Sequence, residues 1–483
     1  MEMKDLTPRP VFHYFEEVCS VPRPSKKEGR IRAYLINFAR EHSLAYKADE
    51  AGNVLIMKDA TPGMEHCKKV VLQAHMDMVC EKNADTVHDF DTDPIETYVD
   101  GEWLKARGTT LGADNGIGIA TGLAVLAADD IKHGPMECLF TVDEETGLTG
   151  AFAMQEGFMS GDILINLDSE DEGEMFIGCA GGAKTTAWFP CPMEAAPDDS
   201  FFFSVTVKGL TGGHSGDDIV KGRANANKLL NRFLCQLLDK YSLRIAEIRG
   251  GNLHNAIPRE ASAVCAVPFK HKEDVRVALN VYLSEVQTEF YVTEPSLTME
   301  MESEEARPQV IEADAARRFL LSIYAVHNGV YAMSQDMPGL VETSSNLASI
   351  KMNDGKIVVV TSQRSSILSS RIDMSEMVAA AFILGGATTE TGDGYPGWKP
   401  NPSSPILKIA IESWKRLFGV EPKVKAIHAG LECGLFLEKY PNLDMVSFGP
   451  TLRGVHSPDE RMHIPSVDKF WKHLIDILAH IPA

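Results

Sequence analysis

Apolar residues in the first third of the chain occur in short continuous runs, separated by stretches with helical periodicity. The runs at residues 70–74, 137–142 and 162–167 are predicted to be strands, and residues 115–128 are predicted to be a helix of small side chains. Runs that are apolar throughout, rather than alternating, are typical of strands covered by helices on both faces. This part of the chain is therefore predicted to be an α/β sheet.

The hydrophobic pattern changes after about residue 190. Residues 201–207 alternate between apolar and polar side chains, which indicates a strand exposed on one face. A Gly/Pro-rich connector lies at residues 391–402, and the α/β pattern returns beyond it. We therefore predict an α/β fold whose discontinuous domain, residues 1–190 and 391–483, has helices on both faces of a mixed, mostly parallel sheet. Residues 191–390 are predicted to form an inserted α+β domain.

Composition and charge exclude several classes of protein. The chain has 483 residues, 44% hydrophobic and 24% charged, as in soluble globular proteins of about two to four domains. Its net charge of −21 would repel a phosphate backbone, so nucleic acid is not an expected partner. Neither a membrane span nor a signal peptide is apparent. The nine cysteines are scattered without a CxxC pair, which favours free thiols and a cytoplasmic location.

Candidate metal ligands stand at the ends of the predicted elements. They are His75, Glu145, Asp168 and His456, which each follow an apolar run, and Asp114, which begins a helix. In an α/β sheet such positions can reach one crevice at the carboxyl edge. Two histidines and three carboxylates suit Zn²⁺, Mn²⁺ or Co²⁺. Five ligands exceed the three that one catalytic zinc usually takes, and they fit two metals that share a bridging carboxylate.

Each of these residues also has a simpler interpretation. Asp114 could serve as a helix N-cap, and Glu144 and Glu145 could form a solvated turn before Gly147. His456 could be an ordinary loop histidine. The joint pattern favours the metal centre, because none of these simpler roles explains why all the groups fall at the ends of elements.

The same residues belong to short motifs whose order along the chain is informative. The motifs are His75-Met-Asp77, Ala113-Asp114-Asn115-Gly116, Glu144-Glu145, Asp168 and His456-Ser-Pro-Asp-Glu460. Longer motifs are Gly209-Leu-Thr-Gly-Gly-His214-Ser-Gly, Ala224-Asn-Ala-Asn-Lys-Leu-Leu and His428-Ala-Gly-Leu-Glu-Cys-Gly. The first set resembles the M20 family of zinc peptidases. The second set resembles its aminoacyl-histidine dipeptidase, or carnosinase-like, subfamily, and the resemblance spans nearly the whole chain.

The resemblance implies a role for each candidate ligand. His75 and Asp168 would hold one zinc ion, Glu145 and His456 would hold the other, and Asp114 would bridge the two. Co²⁺ or Mn²⁺ are possible substitutes for zinc. Asp77 would accept a hydrogen bond from His75 and fix its orientation.

The resemblance also implies the reaction. Glu144 would be the general base that takes a proton from water and passes it to the leaving amine. The expected activity is hydrolysis of small dipeptides, including those with C-terminal histidine such as β-Ala-His. Alternatives are another M20 hydrolase, such as an N-acyl-amino-acid deacylase or a different di- or tripeptidase, and a metal-binding protein without catalysis. The presence of Glu144 disfavours the last, because metal binding does not need it.

The inserted domain would, by the same resemblance, be a lid that also forms a homodimer. His214 would stabilise the transition state, often in the partner subunit's site, and Asn255 would contact the substrate. An arginine is expected to bind the dipeptide's carboxylate, since a planar guanidinium pairs with it through two hydrogen bonds. Arg364 is the residue we select, and Arg371 is its competitor.

Overall fold

The computed structural model describes residues 3–353 and 355–483. The helices are α1 (Arg9–Cys19), α2 (Gly29–Glu41), α3 (Ala113–Ala127), α4 (Glu144–Gly147), α5 (Thr149–Ala153), α6 (Ala226–Lys240), α7 (Lys272–Glu289), α8 (Ala313–Ala325), α9 (Leu368–Leu384), α10 (Pro405–Phe418), α11 (Glu432–Lys439) and α12 (Ile464–Ala479). None of these helices is both long and apolar enough to cross a membrane.

The strands alternate with these helices along the chain. They are β1 (Ala45–Ala48), β2 (Val54–Lys58), β3 (Val70–His75), β4 (Thr97–Asp100), β5 (Trp103–Ala106), β6 (Met136–Thr141), β7 (Ile163–Asn166), β8 (Glu174–Cys179), β9 (Gly181–Pro190), β10 (Met193–Ala195), β11 (Ser200–Lys208), β12 (Gly213–His214), β13 (Arg244–Gly250), β14 (Ala256–Ile257), β15 (Ala261–Pro268), β16 (Thr298–Ser303), β17 (Gln309–Ile311), β18 (Gly329–Met333), β19 (Val341–Asn353), β20 (Lys356–Ser365), β21 (Thr388–Thr391), β22 (Lys423–Ile427), β23 (Asp444–Ser447), β24 (Leu452–Arg453) and β25 (Arg461–His463).

The described chain divides into two compact units. Unit 1 consists of residues 3–178, 400–426 and 431–483, and unit 2 consists of residues 179–399, without residue 354, and 427–430. The first limit lies at residue 178 rather than 190, because β9 pairs with β20 and so belongs to unit 2. The second lies at residue 399 rather than 391, because Tyr395 exchanges backbone hydrogen bonds with Gly182 of β9. The assignment of a catalytic domain and a lid or dimerisation domain stays a prediction.

Unit 1 is built around a mixed sheet with the strand order β1-β2-β6-β3-β7-β23-β8-β22. The four central strands, β6, β3, β7 and β23, pair in parallel, whereas β1, β2 and β6 pair antiparallel and so do β23 and β8. Every residue of β3, β6 and β7 is buried, so both faces of the centre are covered. The α/β class is confirmed, with the parallel pairing confined to the centre of the sheet.

Helix α3 lies unusually close to this centre. Its sequence is rich in small residues, and a side chain on Gly118 would meet the carbonyl oxygen of Leu167 at 2.8 Å. The apolar side of α3 packs against α1, where Phe12, Phe15 and Ile117 share one core cluster. The absence of a side chain at Gly118 thus lets the N-terminal end of α3 approach the end of β7.

Unit 2 is an α+β structure. Its main sheet has the order β16-β11-β15-β13-β19-β20-β9-β21, with β18 also paired to β19, and the pairings are antiparallel. Burial along β11 alternates in its second half, as predicted for residues 201–207. Phe203, Val205 and Val207 share a core with residues of α6 to α9.

Candidate active site

Each candidate metal ligand lies at or just beyond the end of an element of unit 1. His75 is the last residue of β3, and Asp114 is the second residue of α3. Glu145 lies in α4 after β6, Asp168 follows β7, and His456 lies in the loop between β24 and β25. Because β6, β3 and β7 are parallel neighbours, their carboxyl ends meet at one edge of the sheet, where ligands bind in such folds.

The backbone at the start of α3 directs Asp114 away from the helix. Asp114 and Asn115 have non-helical backbone angles, and the peptide bond between them is cis. The residue at the N-cap position is Gly112, and no side chain of the described residues caps the helix. The N-cap role considered for Asp114 is therefore wrong, because its carboxylate meets two histidines instead.

Asp114 lies between two pairs of histidine and carboxylate. Its Oδ1 is 3.0 Å from His75 Nε2, and its Oδ2 is 3.2 Å from His456 Nε2. His75 Nε2 is also 3.4 Å from Asp168 Oδ1, and His456 Nε2 is 3.0 Å from Glu145 Oε2. The structure thus brings together all five candidate ligands, as two pairs around one shared carboxylate.

This donor set fits metal ions. Ligand atoms of His75, Asp114 and Glu145 all lie within 4.8 Å of one another. The buried Glu145 Oε1 has no hydrogen-bond partner among the described residues. Unpaired carboxylate oxygens in a buried place are costly unless a cation compensates them. Imidazole and carboxylate together are the ligands of Zn²⁺, Mn²⁺ and Co²⁺ sites.

The charges of the cluster also favour a bound cation. Burial opposes a charge on His75, but the carboxylates of Asp168 and Asp114 outweigh it and raise its pKa well above the usual value. Hydrogen bonds to Asp114 and Glu145 raise the pKa of His456 to about 11. The neighbouring carboxylates thus favour a positive charge at both imidazoles. Metal ions compete with protons for these nitrogens, so metal binding at this cluster depends on pH.

Asp77 connects one histidine to the turn that carries the two glutamates. The fully buried Asp77 Oδ1 lies 3.3 Å from His75 Nδ1. The same carboxylate accepts hydrogen bonds from the backbone N–H groups of Glu144, at 3.0 Å, and Glu145, at 3.3 Å. Only the first contact was expected from the sequence. Asp77 is therefore placed to orient both His75 and the Glu144–Glu145 turn.

Glu460 is a buried carboxylate whose position the sequence did not explain. It accepts hydrogen bonds from the backbone N–H groups of Leu111, Gly112 and Asp114, at 2.7, 2.8 and 3.2 Å. It lies four positions after His456, so it joins the loop of that histidine to the loop of Asp114. Its place in the His456-Ser-Pro-Asp-Glu460 motif was the available signal.

A row of buried polar side chains crosses the sheet beneath the metal cluster. We call it the polar row, and it consists of Gln73, Thr141, Asn166, Glu432 and Ser447, all at most 2% exposed. Glu432 Oε2 accepts from Gln73 Nε2 at 2.7 Å and from Thr141 Oγ1 at 2.8 Å. Asn166 donates to Gln73 Oε1 and accepts from Ser447. Gln73 and Asn166 stand two positions before His75 and Asp168, so they support the strand ends that carry these ligands.

The remaining predicted residues form a polar cluster within unit 2. Strand β12 pairs with β14 so that His214 stands opposite Ala256, and the backbone oxygen of the adjacent, exposed Asn255 accepts from Ser215 N at 2.8 Å. The Arg364 guanidinium lies 3.4 Å from His214 Nε2. His214, Asn255 and Arg364 are therefore brought into one region of unit 2.

The two candidate arginines have different surroundings. Arg371 donates to the backbone carbonyls of Gly182, Asp393 and Tyr395, which commits its guanidinium to holding a turn. Arg364 is 6% exposed, and its guanidinium contacts the side chains of Ser215, Tyr395 and His214. Among the described residues it forms no ion pair with a carboxylate. These contacts favour Arg364 as the group that meets an anionic ligand.

Comparison with known proteins finds relatives that match the whole chain. The cytosol non-specific dipeptidase of Escherichia coli is 45% identical over 482 residues, which cover 100% of this chain and 99% of the relative. The crystal structure of an aminoacylhistidine dipeptidase from Vibrio alginolyticus superposes with a TM-score of 0.94. It is 46% identical and covers 100% of this chain and 98% of that one.

More distant matches extend the likeness of the fold. A tripeptidase from Staphylococcus aureus superposes with a TM-score of 0.58 at 16% identity, covering 99% of both chains. The sequence model for Peptidase family M20/M25/M40 matches residues 71–480. That span includes the two histidines and three carboxylates of the cluster, together with Glu144. Because the match covers most of the chain, the chain belongs to the M20/M25/M40 peptidase family.

Proposed function

We propose that this protein is a metal-dependent dipeptidase that holds two zinc ions and cleaves small dipeptides, including those with C-terminal histidine. The observation that carries the proposal is the arrangement of two histidine–carboxylate pairs around Asp114. Two full-length relatives, named as a non-specific dipeptidase and an aminoacylhistidine dipeptidase, support the substrate class.

In this proposal the five ligands divide between two ions. His75 and Asp168 would hold one, His456 and Glu145 would hold the other, and both ions would share Asp114. Bound metal ions supply Lewis-acid activation of water and of the scissile carbonyl. Asp77 would keep His75 Nε2 directed at its ion by accepting a hydrogen bond from Nδ1.

Glu144 would move the proton. Its backbone N–H is fixed by Asp77, whereas its carboxyl group takes part in no hydrogen bond or ion pair of the described residues. Glu145, one position later, contacts His456 instead. The Glu144 carboxylate is therefore free to accept a proton from the attacking water and to deliver it to the leaving amine.

Residues of unit 2 would recognise the substrate. Arg364 would bind the free carboxylate of the dipeptide, His214 would stabilise the transition state, and Asn255 would contact the peptide. The guanidinium of Arg364 is buried and has no acidic partner among the described residues, which supports this role because a ligand carboxylate would compensate its charge. We also propose that unit 2 forms a homodimer and that the protein acts in the cytoplasm.

Metal analysis combined with a substrate panel tests the function. The panel contains β-Ala-His, Gly-His, a dipeptide without histidine, a tripeptide and acetylated amino acids. We expect two zinc ions per chain and turnover of the dipeptides. Turnover of acetylated amino acids or the tripeptide alone would replace the proposal by another M20 activity. Bound metal without turnover of any compound would overturn the enzymatic proposal.

A further inference from the structure

The guanidinium of Arg364 is incompletely paired. Its Nε donates to Ser215 Oγ at 3.4 Å, its Nη1 to Tyr395 Oη at 2.9 Å, and its Nη2 faces His214 Nε2 at 3.4 Å. These contacts use three of the five N–H groups of an arginine. The other two N–H groups have no partner among residues 3–353 and 355–483. These two groups and the positive charge are available to a ligand.

The hydroxyl of Tyr395 is also incompletely hydrogen-bonded. It accepts the hydrogen bond from Arg364, and no acceptor for its own proton occurs among the described residues. Since a phenol can accept and donate at once, its proton is available to the same ligand that the guanidinium attracts. The two groups together offer an anion a charged donor and a neutral donor.

Tyr395 is also held firmly in place. Its backbone N–H donates to Gly182 O at 2.9 Å, Gly182 N donates back at 3.0 Å, and Arg371 donates to its carbonyl oxygen. Side chains on Gly182 or Gly430 would meet its ring at 2.7 to 2.8 Å. The ring therefore fills a slot between two glycines. This is the function that the contacts of Arg371 indicate, since it fixes the turn that presents Tyr395.

We propose that Tyr395 is a specificity-determining residue that donates its hydroxyl proton to the C-terminal carboxylate of the substrate beside Arg364. The inference rests on the proposed function and extends it. It predicts that the protein selects peptides with a free carboxylate over the corresponding C-terminal amides. An amide has no negative charge for Arg364, and its N–H groups would face the donors of Arg364 and Tyr395.

The test compares Gly-His with Gly-His amide for the parent protein, for Tyr395→Phe and for Tyr331→Phe, a control at a half-exposed tyrosine of unit 2. We expect Tyr395→Phe to raise KM for Gly-His about 10-fold or more, as for loss of a hydrogen bond to a charged group. We expect kcat, zinc content and the kcat/KM of the amide to change little. Tyr331→Phe should behave as the parent protein.

The other outcomes each decide the question. Equal losses for acid and amide would mean that Tyr395 acts only through the fold, and an unchanged KM would mean that it does not touch the carboxylate. A parent protein that does not distinguish acid from amide would also overturn the inference. A parent protein that cleaves no dipeptide would overturn the proposed function itself, which separates the two failures.

Discussion

Two adjacent glutamates in unit 1 share a backbone hydrogen bond to Asp77 but differ in what their carboxyl groups contact. Glu145 Oε2 lies 3.0 Å from His456 Nε2, whereas the Glu144 carboxyl group has no hydrogen-bond or ion-pair partner among the described residues. Sequence motifs indicated the pair, and the role proposed for each glutamate depends on the direction in which its side chain leaves a four-residue helical turn. Asp77, two positions after the end of β3, fixes the backbone of this turn through both N–H groups.

Substitution of each glutamate separates the proposed roles. Glu144→Ala should retain both metal ions and lose about 10²–10⁴ in kcat, because only proton transfer is removed. Glu145→Ala should lower the metal content, because His456 loses its partner ligand. Elemental analysis and kcat for the two variants check this. Full metal content in Glu145→Ala with depletion in Glu144→Ala would show that the roles are reversed.

Glu460 allows a test of how the ligands are positioned. In Glu460→Gln one oxygen becomes an amide donor that faces backbone N–H groups of residues 111–114, so the Asp114 loop loses at least one hydrogen bond. We expect the zinc affinity to fall about 10- to 100-fold, as for other residues that orient ligands. Competition with a fluorescent chelator measures it, and the exposed Asp459→Asn is the control. Equal affinities for both variants would contradict this role.

At the scale of elements, the pattern of apolar runs was a good guide. Residues 70–74, 137–142 and 162–167 correspond to β3, β6 and β7, and residues 115–128 correspond to most of α3. Their ends meet because parallel strands share one edge. The antiparallel outer strands and the pairing of β9 with β20 could not be foreseen, since such pairing joins segments far apart in the chain. The polar row also gave no signal, because buried polar residues carry no periodicity of their own.

The polar row should matter for stability. Asn166→Ala would leave the buried Gln73 Oε1 without its donor, whereas the Ser447 hydroxyl would keep its hydrogen bond with Ser169 at 2.7 Å. We expect a loss of about 1–3 kcal/mol for this unsatisfied group. Hydrogen exchange in increasing urea measures this loss as reduced protection of the backbone amides of β3 and β7. Asn83→Ala, at an exposed position, should leave the protection unchanged, and an equal effect of both variants would count against the polar row.

The packing of α12 on α10 predicts a dependence on pH. His473 is buried, and its Nε2 lies 2.9 Å from the carbonyl oxygen of Ala410. Burial lowers the pKa of His473 to about 4, below the value of about 6.5 in an unfolded chain. The unfolded state therefore binds more protons between these values. The stability contributed by neutral His473 is complete above pH 6.5 and is lost as the pH falls toward 4.

A variant makes this dependence measurable. Relative to the parent protein, His473→Gln should lose less stability between pH 6.5 and 4, by about 3 kcal/mol at the lower limit. Urea unfolding at several pH values provides the comparison. His66→Gln, at an exposed position, should follow the parent curve. Parallel curves for parent and His473→Gln would exclude His473 as the cause.

At the scale of the molecule, the five candidate metal ligands all belong to unit 1. Removal of metal leaves three carboxylates, of Asp114, Glu145 and Asp168, close together with only two imidazoles between them. Chelation should therefore lower the Tm of unit 1 by on the order of 5–10 °C, if the bound metal contributes about 2.7 kcal/mol. Calorimetry with and without chelator, followed by zinc addition, checks this. An unchanged Tm of unit 1 in the presence of chelator would contradict the proposed metal centre.

The position of β23 has a consequence for how the protein is made. This strand, residues 444–447, lies between β7 and β8 in the sheet of unit 1, although it leaves the ribosome hundreds of residues after them. The sheet of unit 2 has all its strands by residue 391. During synthesis unit 2 can therefore fold while unit 1 still lacks a central strand. His456 emerges later still, so the set of five candidate metal ligands is complete only after β7, β8 and β23 have all been made.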